Sequence, residues 1–117
     1  MAKEFTREEI GQPGGAVLFR LSGRLDAKNA QALVARCNDL QERGTLRVVI
    51  NLAGVSFVAS SGIGSLLALT ERFQEAGGGV RLVEVSDAVR SVVDLLNLGE
   101  FLHIDTTEAA GLAAMGR

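Results

Sequence analysis

The stretch from residue 48 to residue 70 carries no charged side chain and joins two different structural patterns. Its first part belongs to the run LRVVINL at 46–52, which is rich in β-branched residues and apolar at nearly every position. A strand with two apolar faces is typical of the centre of a sheet that is covered on both sides. The sequence Ser-Ser-Gly at 60–62 then opens an apolar helix. Polar residues and glycines interrupt the stretch too often for a membrane span, so it predicts a buried strand followed by a buried helix.

Strand and helix patterns alternate along the rest of the chain, after a hairpin around the turn Gln12-Pro13-Gly14-Gly15. The order ββαβαβαβα predicts a single α/β domain over residues 1–117, with a mostly parallel central sheet and helices backing it. We expect strands over 3–10, 16–21, 46–52, 80–85 and 101–104, with residues 23–26 interrupting the second. We expect helices over about 27–43, from Ser61 to the glycines at 77–79, from Ser86 to near Gly99, and from Thr106 or Thr107.

The predicted helices carry start signals and apolar faces. Asp26 and Ser86 have side chains that accept hydrogen bonds from helix amides, so we expect them to be N-caps, and Gly44 suits a helix end. Helical spacing predicts that the following residues face the core: Ala30, Leu33, Val34, Cys37 and Leu40 in the first helix, and Val89, Val92, Val93 and Leu96 in the third.

Composition excludes several functional classes. The net charge is −2 with no basic block, and aromatic residues make up 4% of the chain, which argues against binding to nucleic acid. The charged N-terminus lacks the apolar core of a signal peptide, so we expect a cytoplasmic protein with no membrane association. Cys37 and His103 are the only residues of their types, which leaves no internal disulfide and no evident metal site.

Motifs of catalytic loops are absent or incomplete. Leu67 stands where a third glycine of GxGxxG would follow Gly62 and Gly64, and the chain has neither a GK[ST] sequence nor a serine elbow of the form G-x-S-x-G. No acid–base pair has support from histidine or cysteine. The sequence therefore predicts a protein that is not an enzyme and that needs no cofactor.

Ser60 and Asp26 each allow two interpretations. The Ser60 hydroxyl either caps the following helix, or it carries a phosphate that the helix N-terminus stabilises. Asp26 is either a helix cap alone, or it lies close to Ser60 because the second and third strands end at the same edge of the sheet. Spacing alone leaves both alternatives open.

The chain resembles the STAS domains, and among them the bacterial anti-sigma factor antagonists. The resemblance rests on Gly23-Arg24-Leu25-Asp26, on NLAGVSFVASSGIGSLLAL, and on RLVEVSDAVRSVVDLLNL with the final FLHIDTTEAA. It implies partner switching: the antagonist binds an anti-sigma factor that is a serine kinase, and phosphorylation ends that binding. The phosphoacceptor position of the family is Ser60 in this chain. The residues implied in partner binding are Asp26, Ala59, Ser60, Ser61, Gly62, Ile63 and Gly64.

One position departs from the family pattern. Members commonly have Asp-Ser-Ser-Gly, whereas this chain has Ala59 before the two serines. This departure favours an alternative, in which the protein is a non-phosphorylated STAS subunit of a lipid-transport or sensory complex. The sequence leaves the oligomeric state open between a monomer and a weak dimer.

Overall fold

A computed structural model describes residues 4–115, which form a five-stranded sheet and four α-helices. The strands β1 (Thr6–Gly11), β2 (Val17–Leu25), β3 (Arg47–Val58), β4 (Gly79–Val83) and β5 (Ile104–Asp105) lie in that order across the sheet. The helices are α1 (Ala27–Glu42), α2 (Ser60–Glu75), α3 (Asp87–Leu95) and α4 (Glu108–Met115). β1 is antiparallel to β2 and all other pairs are parallel, which confirms the predicted α/β class and element order.

The helices cover the two faces of the sheet unequally. Side chains of α1, α2 and α3 form one large buried cluster with alternate strand residues, among them Phe19, Ile50 and Leu82. On the opposite face, Val49 packs in a smaller cluster with Met115 of α4. β3 is therefore covered on both sides along its first half, as the two apolar faces of its sequence predict.

A polar network fixes the start of α4 against the sheet. The Glu108 carboxylate accepts hydrogen bonds from Arg20 on β2, at 2.8 and 3.0 Å, and from the Asn51 amide on β3 at 2.6 Å. The hydrogen bonds from the Arg20 guanidinium lower the pKa of Glu108. Desolvation opposes this shift, and the Asn51 amide adds a smaller lowering. Asn51 is buried, and its amide oxygen also accepts a bond from the Ala53 backbone at 2.8 Å, so its polar groups are satisfied.

The predicted helix boundaries are largely confirmed. Asp26 accepts a hydrogen bond from the Asn29 amide at 2.9 Å, and Ser86 accepts one from Val89 at 3.4 Å. Gly44 follows α1 with a φ of 102°, a left-handed conformation that glycine adopts without strain. The prediction that Leu96 faces the core is wrong, because α3 ends at Leu95 and the Leu96 side chain is exposed.

Two central strands extend beyond their predicted ends. β2 continues to Leu25 instead of ending at residue 21, and β3 continues to Val58 instead of ending at residue 52. Gly23 does not interrupt β2. Its φ of 97° suits glycine, and the absence of a Cβ leaves room for the backbone of Phe5, whose Cα would lie 2.9 Å from an added Cβ. The last strand is 104–105 instead of 101–104, and β1 begins at residue 6. Residue 3 of the predicted first strand lies outside the described residues.

Candidate functional site

The extensions of β2 and β3 form a two-stranded ribbon beyond the rest of the sheet. β4 pairs with β3 only as far as Asn51, whereas the parallel pairing of β2 with β3 continues to Leu25 and Val58. Each strand then leads directly into a helix, α1 after Asp26 and α2 after Ala59. The backbone amide of Ala59 donates to the Leu25 carbonyl at 3.0 Å, which ties the two junctions together. The two strands therefore end at the same edge, and both helix N-termini begin there.

The small size of Gly62 permits this arrangement. A Cβ at Gly62 would lie 2.6 Å from the Leu25 carbonyl oxygen and 3.0 Å from Val58, so any larger residue would push α2 away from β2. Ile63, the next residue, is 3% exposed and packs in the core. Gly62 and Ile63 therefore hold the first turn of α2 in place. A Cβ at Gly64 would meet no atom within 4 Å, and this residue faces solvent.

Ser60 is the first residue of α2 and does not cap it. The N-cap position belongs to Ala59, whose φ of −81° and ψ of 163° are those of a cap but whose methyl group accepts no hydrogen bond. The interpretation of Ser60 as the N-cap is therefore wrong by one residue. Parallel pairing up to Val58 and the bond from Ala59 to β2 set where the helix begins. Ser60 and Ser61 are both exposed, so their hydroxyls face solvent.

The N-terminus of α2 differs from the helix starts of α1 and α3 because no side chain caps it. The starts of α1 and α3 are capped by the side chains of Asp26 and Ser86, whereas α2 has no side-chain cap and no acidic residue in its first turn. Unpaired amides and the helix dipole stabilise a negative charge there by about 0.3–1 kcal/mol. The Ser60 side chain thus stands where an added anion would be stabilised.

Asp26 is held at the neighbouring junction by Asn29. The Asn29 backbone amide donates to the Asp26 carboxylate, and the Asn29 side chain donates to the Arg24 carbonyl at 2.8 Å. The two bonds fix the first turn of α1 on the end of β2. Asp26 is half-buried, so part of its carboxylate remains accessible beside the start of α2.

Arg24 and Phe57 are surface residues of the ribbon that sequence reasoning missed. They are register partners on β2 and β3, and the Arg24 guanidinium carbon lies 4.0 Å from the centre of the Phe57 ring. This cation–π contact places a positive charge and an exposed aromatic ring next to the α2 junction. If the second strand had been predicted to reach Leu25, the alternation of Arg24 and Leu25 would have indicated that Arg24 points outward.

A shallow groove runs from this junction between α1 and α2. It has a volume of about 450 Å³. Its lining is mostly small or uncharged: Gln31, Val34, Ala35 and Asn38 from α1, and Ser61, Gly64, Ser65 and Ala68 from α2. Because Ser61 and Gly64 belong both to the groove and to the first turns of α2, the groove continues the surface around Ser60.

The single cysteine and the single histidine lie away from the junction. Cys37 is fully buried in the core, as predicted, and burial raises the pKa of its thiol to about 12. The thiol is therefore protonated and shielded at neutral pH. His103 lies just before β5 and forms a side-chain hydrogen bond with Gln74 at the end of α2.

Within residues 4–115, none of the helices has the length and apolar character of a membrane span.

Comparison with known proteins agrees with this architecture. The profile of the STAS domain matches residues 8–111. An anti-sigma F factor antagonist of Lysinibacillus sphaericus is 32% identical over 95 residues, which are 80% of this chain and 81% of the relative.

Two solved structures of SpoIIAA extend the comparison. The anti-sigma factor antagonist SpoIIAA in its unphosphorylated form superposes with a TM-score of 0.76 at 26% identity, covering 97% of this chain and 98% of SpoIIAA. The phosphorylated form of SpoIIAA from Bacillus gives a TM-score of 0.69 at 26% identity, covering 92% and 96%. The chain belongs to the STAS domain family.

Proposed function

We propose that this protein is an anti-sigma factor antagonist that binds an anti-sigma factor with serine kinase activity and is switched by phosphorylation of Ser60. The observation that carries the proposal is the exposed Ser60 side chain at the uncapped N-terminus of α2. The names of the curated relatives and the likeness to SpoIIAA, which has been solved in unphosphorylated and phosphorylated forms, support it.

The proposed reaction is a phosphoryl transfer carried out by the partner. The γ-phosphoryl group of ATP forms a bond to the Ser60 oxygen, ADP leaves, and the hydroxyl proton is released. The product carries about −1.5 to −2 charges at pH 7. The dipole of α2 stabilises this charge, so the helix stays folded. Binding is lost because a charged, hydrated phosphate cannot be buried against a partner that fitted a neutral serine.

The residues predicted to bind the partner divide into contacting and positioning groups. Asp26, Ser60, Ser61 and Gly64 are accessible, and we assign them to direct contact. Gly62 and Ile63 are buried, so they contribute by holding the first turn of α2. Ala59 acts through its missing cap: no side chain at the N-cap position of α2 competes with the phosphate for the helix amides.

The direct test is a kinase assay with the cognate anti-sigma factor, identified by pull-down with this protein. The protein, its Ser60→Ala variant and its Ser61→Ala variant are incubated with the kinase and ATP, and phosphate is mapped by mass spectrometry. We expect phosphate on Ser60 in the natural protein and in Ser61→Ala, and none in Ser60→Ala. In binding assays, Ser60→Ala retains the kinase and Ser60→Asp weakens binding. An active kinase that leaves Ser60 unmodified refutes the proposal.

A second candidate function is favoured by Ala59. The missing acidic group beside Ser60 fits a STAS subunit that serves as a scaffold in a lipid-transport or sensory complex without being phosphorylated. Such a subunit would co-purify with a transporter ATPase or a sensory scaffold, and ATP would not release it. A pull-down with and without ATP separates the two functions, because only the switch predicts release of a partner after phosphorylation.

A further inference from the structure

Large apolar side chains are exposed together at the end of α3 and in the segment after it. Leu95 is 83% exposed, Leu96 is 52% exposed and Phe101 is 61% exposed. Single exposed leucines are ordinary, but a cluster of large apolar side chains marks an interaction surface. This cluster lies at the end of α3 and on the segment that returns the chain from α3 to β5.

The segment presents Phe101 beside α2. Phe101 and Leu98 line one side of a cavity of about 370 Å³, whose other lining residues, Leu67 among them, lie on α2. The segment is fixed by backbone bonds: Leu98 donates to the Val93 carbonyl at 2.9 Å, and Phe101 donates to the Leu98 carbonyl at 3.0 Å. The ring is therefore held outward by a stable turn. We call Leu67, Leu95, Leu96, Leu98 and Phe101 the Phe101 surface.

Three carboxylates lie next to residues of the Phe101 surface, one in the cavity and two along the chain. Glu71 lines the same cavity, Asp94 precedes Leu95, and Glu100 precedes Phe101. All three are exposed, and within residues 4–115 none of them takes part in an ion pair. The nearest arginine of α2, Arg72, points to α1, where it donates to Asn38 at 2.6 Å. The apolar surface thus has an acidic rim.

We propose that the Phe101 surface is a docking site for an amphipathic helix of another protein, with apolar residues on one face and lysines or arginines beside them. An apolar groove along a helix suits a partner helix with apolar residues at i, i+3, i+4 and i+7. The rim carboxylates would pair with its basic residues and favour this partner over acidic ones. A symmetric contact with a second copy would bring the acidic rims together, which costs energy.

This surface is separate from the Ser60 site. Leu67 lies seven residues after Ser60 on α2, about 10 Å along the helix axis. Phe101 reaches α2 from the α3–β5 segment instead of from the junction with β3. The two sites share no residue, although Leu67 and Ser60, seven residues apart, lie on the same side of α2.

The test uses two designed peptides and the full chain. Both peptides are helices of about 15 residues with leucines at i, i+3, i+4 and i+7, a length at which isolated helices become marginally stable. One carries lysines at the flanking positions and the other carries glutamates. NMR titration of the isotopically labelled protein locates binding and measures the affinity, and circular dichroism checks that each variant is folded.

We expect the lysine peptide to shift the amide signals of Leu67, Leu98 and Phe101, and the glutamate peptide to bind at least tenfold more weakly. Phe101→Ser should reduce affinity for the lysine peptide by roughly tenfold or more, equivalent to about 1.4 kcal/mol. Leu46→Ser, which replaces a 45% exposed leucine just before β3, is the matched control and should leave the affinity for the lysine peptide unchanged. Should Phe101→Ser fail to fold, Leu95→Ser tests the same surface.

Three results would overturn the proposal. They are equal affinity for the two peptides, signal shifts confined to other parts of the molecule, or an affinity that Phe101→Ser leaves intact. Sedimentation of the protein without peptide supplies a further check. A dimer that Phe101→Ser abolishes would assign the surface to a second copy of the chain and would also refute docking by a basic helix.

Discussion

Replacing Ala59 with aspartate should stabilise the protein. Ala59 already has the extended backbone of an N-cap, and α2 lacks a side-chain cap, so a new carboxylate can accept a hydrogen bond from the Ser61 or Gly62 amide. The loss of such a cap typically costs about 1 kcal/mol, so its gain should be of similar size. For a chain of 117 residues this corresponds to a rise in Tm of about 4 °C.

Thermal and urea unfolding followed by circular dichroism measure the gain, and Ala59→Asn is the matched control. Asparagine can cap the helix without a charge. The difference between the two variants therefore measures the charge effects, namely attraction to the helix dipole and repulsion by Asp26. The helix amides lower the folded-state pKa of the new carboxylate. Its charge-dependent stabilisation is therefore complete above the unfolded pKa of about 4 and disappears as the pH falls through the lower folded value, whereas the asparagine gain stays constant.

Two results would refute this reasoning about the α2 junction. One is that neither Ala59→Asp nor Ala59→Asn is more stable than the natural protein. The other is a loss of about 1 kcal/mol in Ser60→Ala, the cost typical of a lost N-cap. That loss would mean that the Ser60 hydroxyl caps the helix after all, and the hydroxyl would then not be free for another role.

The glycines of α2 and the Glu108 network give further predictions. Gly62→Ala should lower the free energy of unfolding by about 1–3 kcal/mol in urea titrations, because its Cβ would lie 2.6 Å from the Leu25 oxygen. Gly64→Ala, whose Cβ meets open space, should instead stabilise the helix by up to about 1 kcal/mol, and equal losses at both sites would contradict the packing argument. The lowered pKa of Glu108 contributes stability above its unfolded pKa that is lost as the pH falls through the lowered folded value. Glu108→Gln should therefore reduce the dependence of Tm on pH below about pH 5, and an unchanged dependence would refute the role of the Arg20 pair.

Sequence patterns predicted the architecture because they show where helices begin and which side of each helix or strand is apolar. The two apolar faces of residues 46–52, the helical spacing of Leu33, Cys37 and Leu40, and the caps at Asp26 and Ser86 all correspond to features of the structure. These features depend on neighbours in the sequence or on the side of an element that faces the core.

The extent of the strands could not be predicted in the same way, because it depends on distant contacts. At Gly23 the absence of a Cβ lets the backbone of Phe5 pack against β2. At Gly54 the absence of a Cβ lets β3 pass close to Ser22, whose Cβ would lie 2.5 Å from an added one. Because of the same long-range pairing, α2 begins at Ser60, and Ala59 occupies its N-cap position. The preference of serine for N-cap positions suggested the wrong residue by one.

The resemblance to STAS domains predicted Ser60 as the phosphoacceptor, and the structure places Ser60 exposed at the start of α2. Sequence alone could not distinguish a serine that caps a helix from one that is exposed at an uncapped end. Nor could it place Arg24 and Phe57 beside the junction, because their contact requires the extended ribbon. The structure thus removes the capping role that competed with phosphorylation.

Phosphate mapping after reaction with the cognate anti-sigma factor kinase and ATP tests the central claim most directly. The account predicts one modified residue, Ser60, and release of the kinase from the phosphorylated protein but not from Ser60→Ala. A kinase that is active on a control substrate yet leaves Ser60 unmodified, or that remains equally bound after Ser60 is phosphorylated, would contradict it.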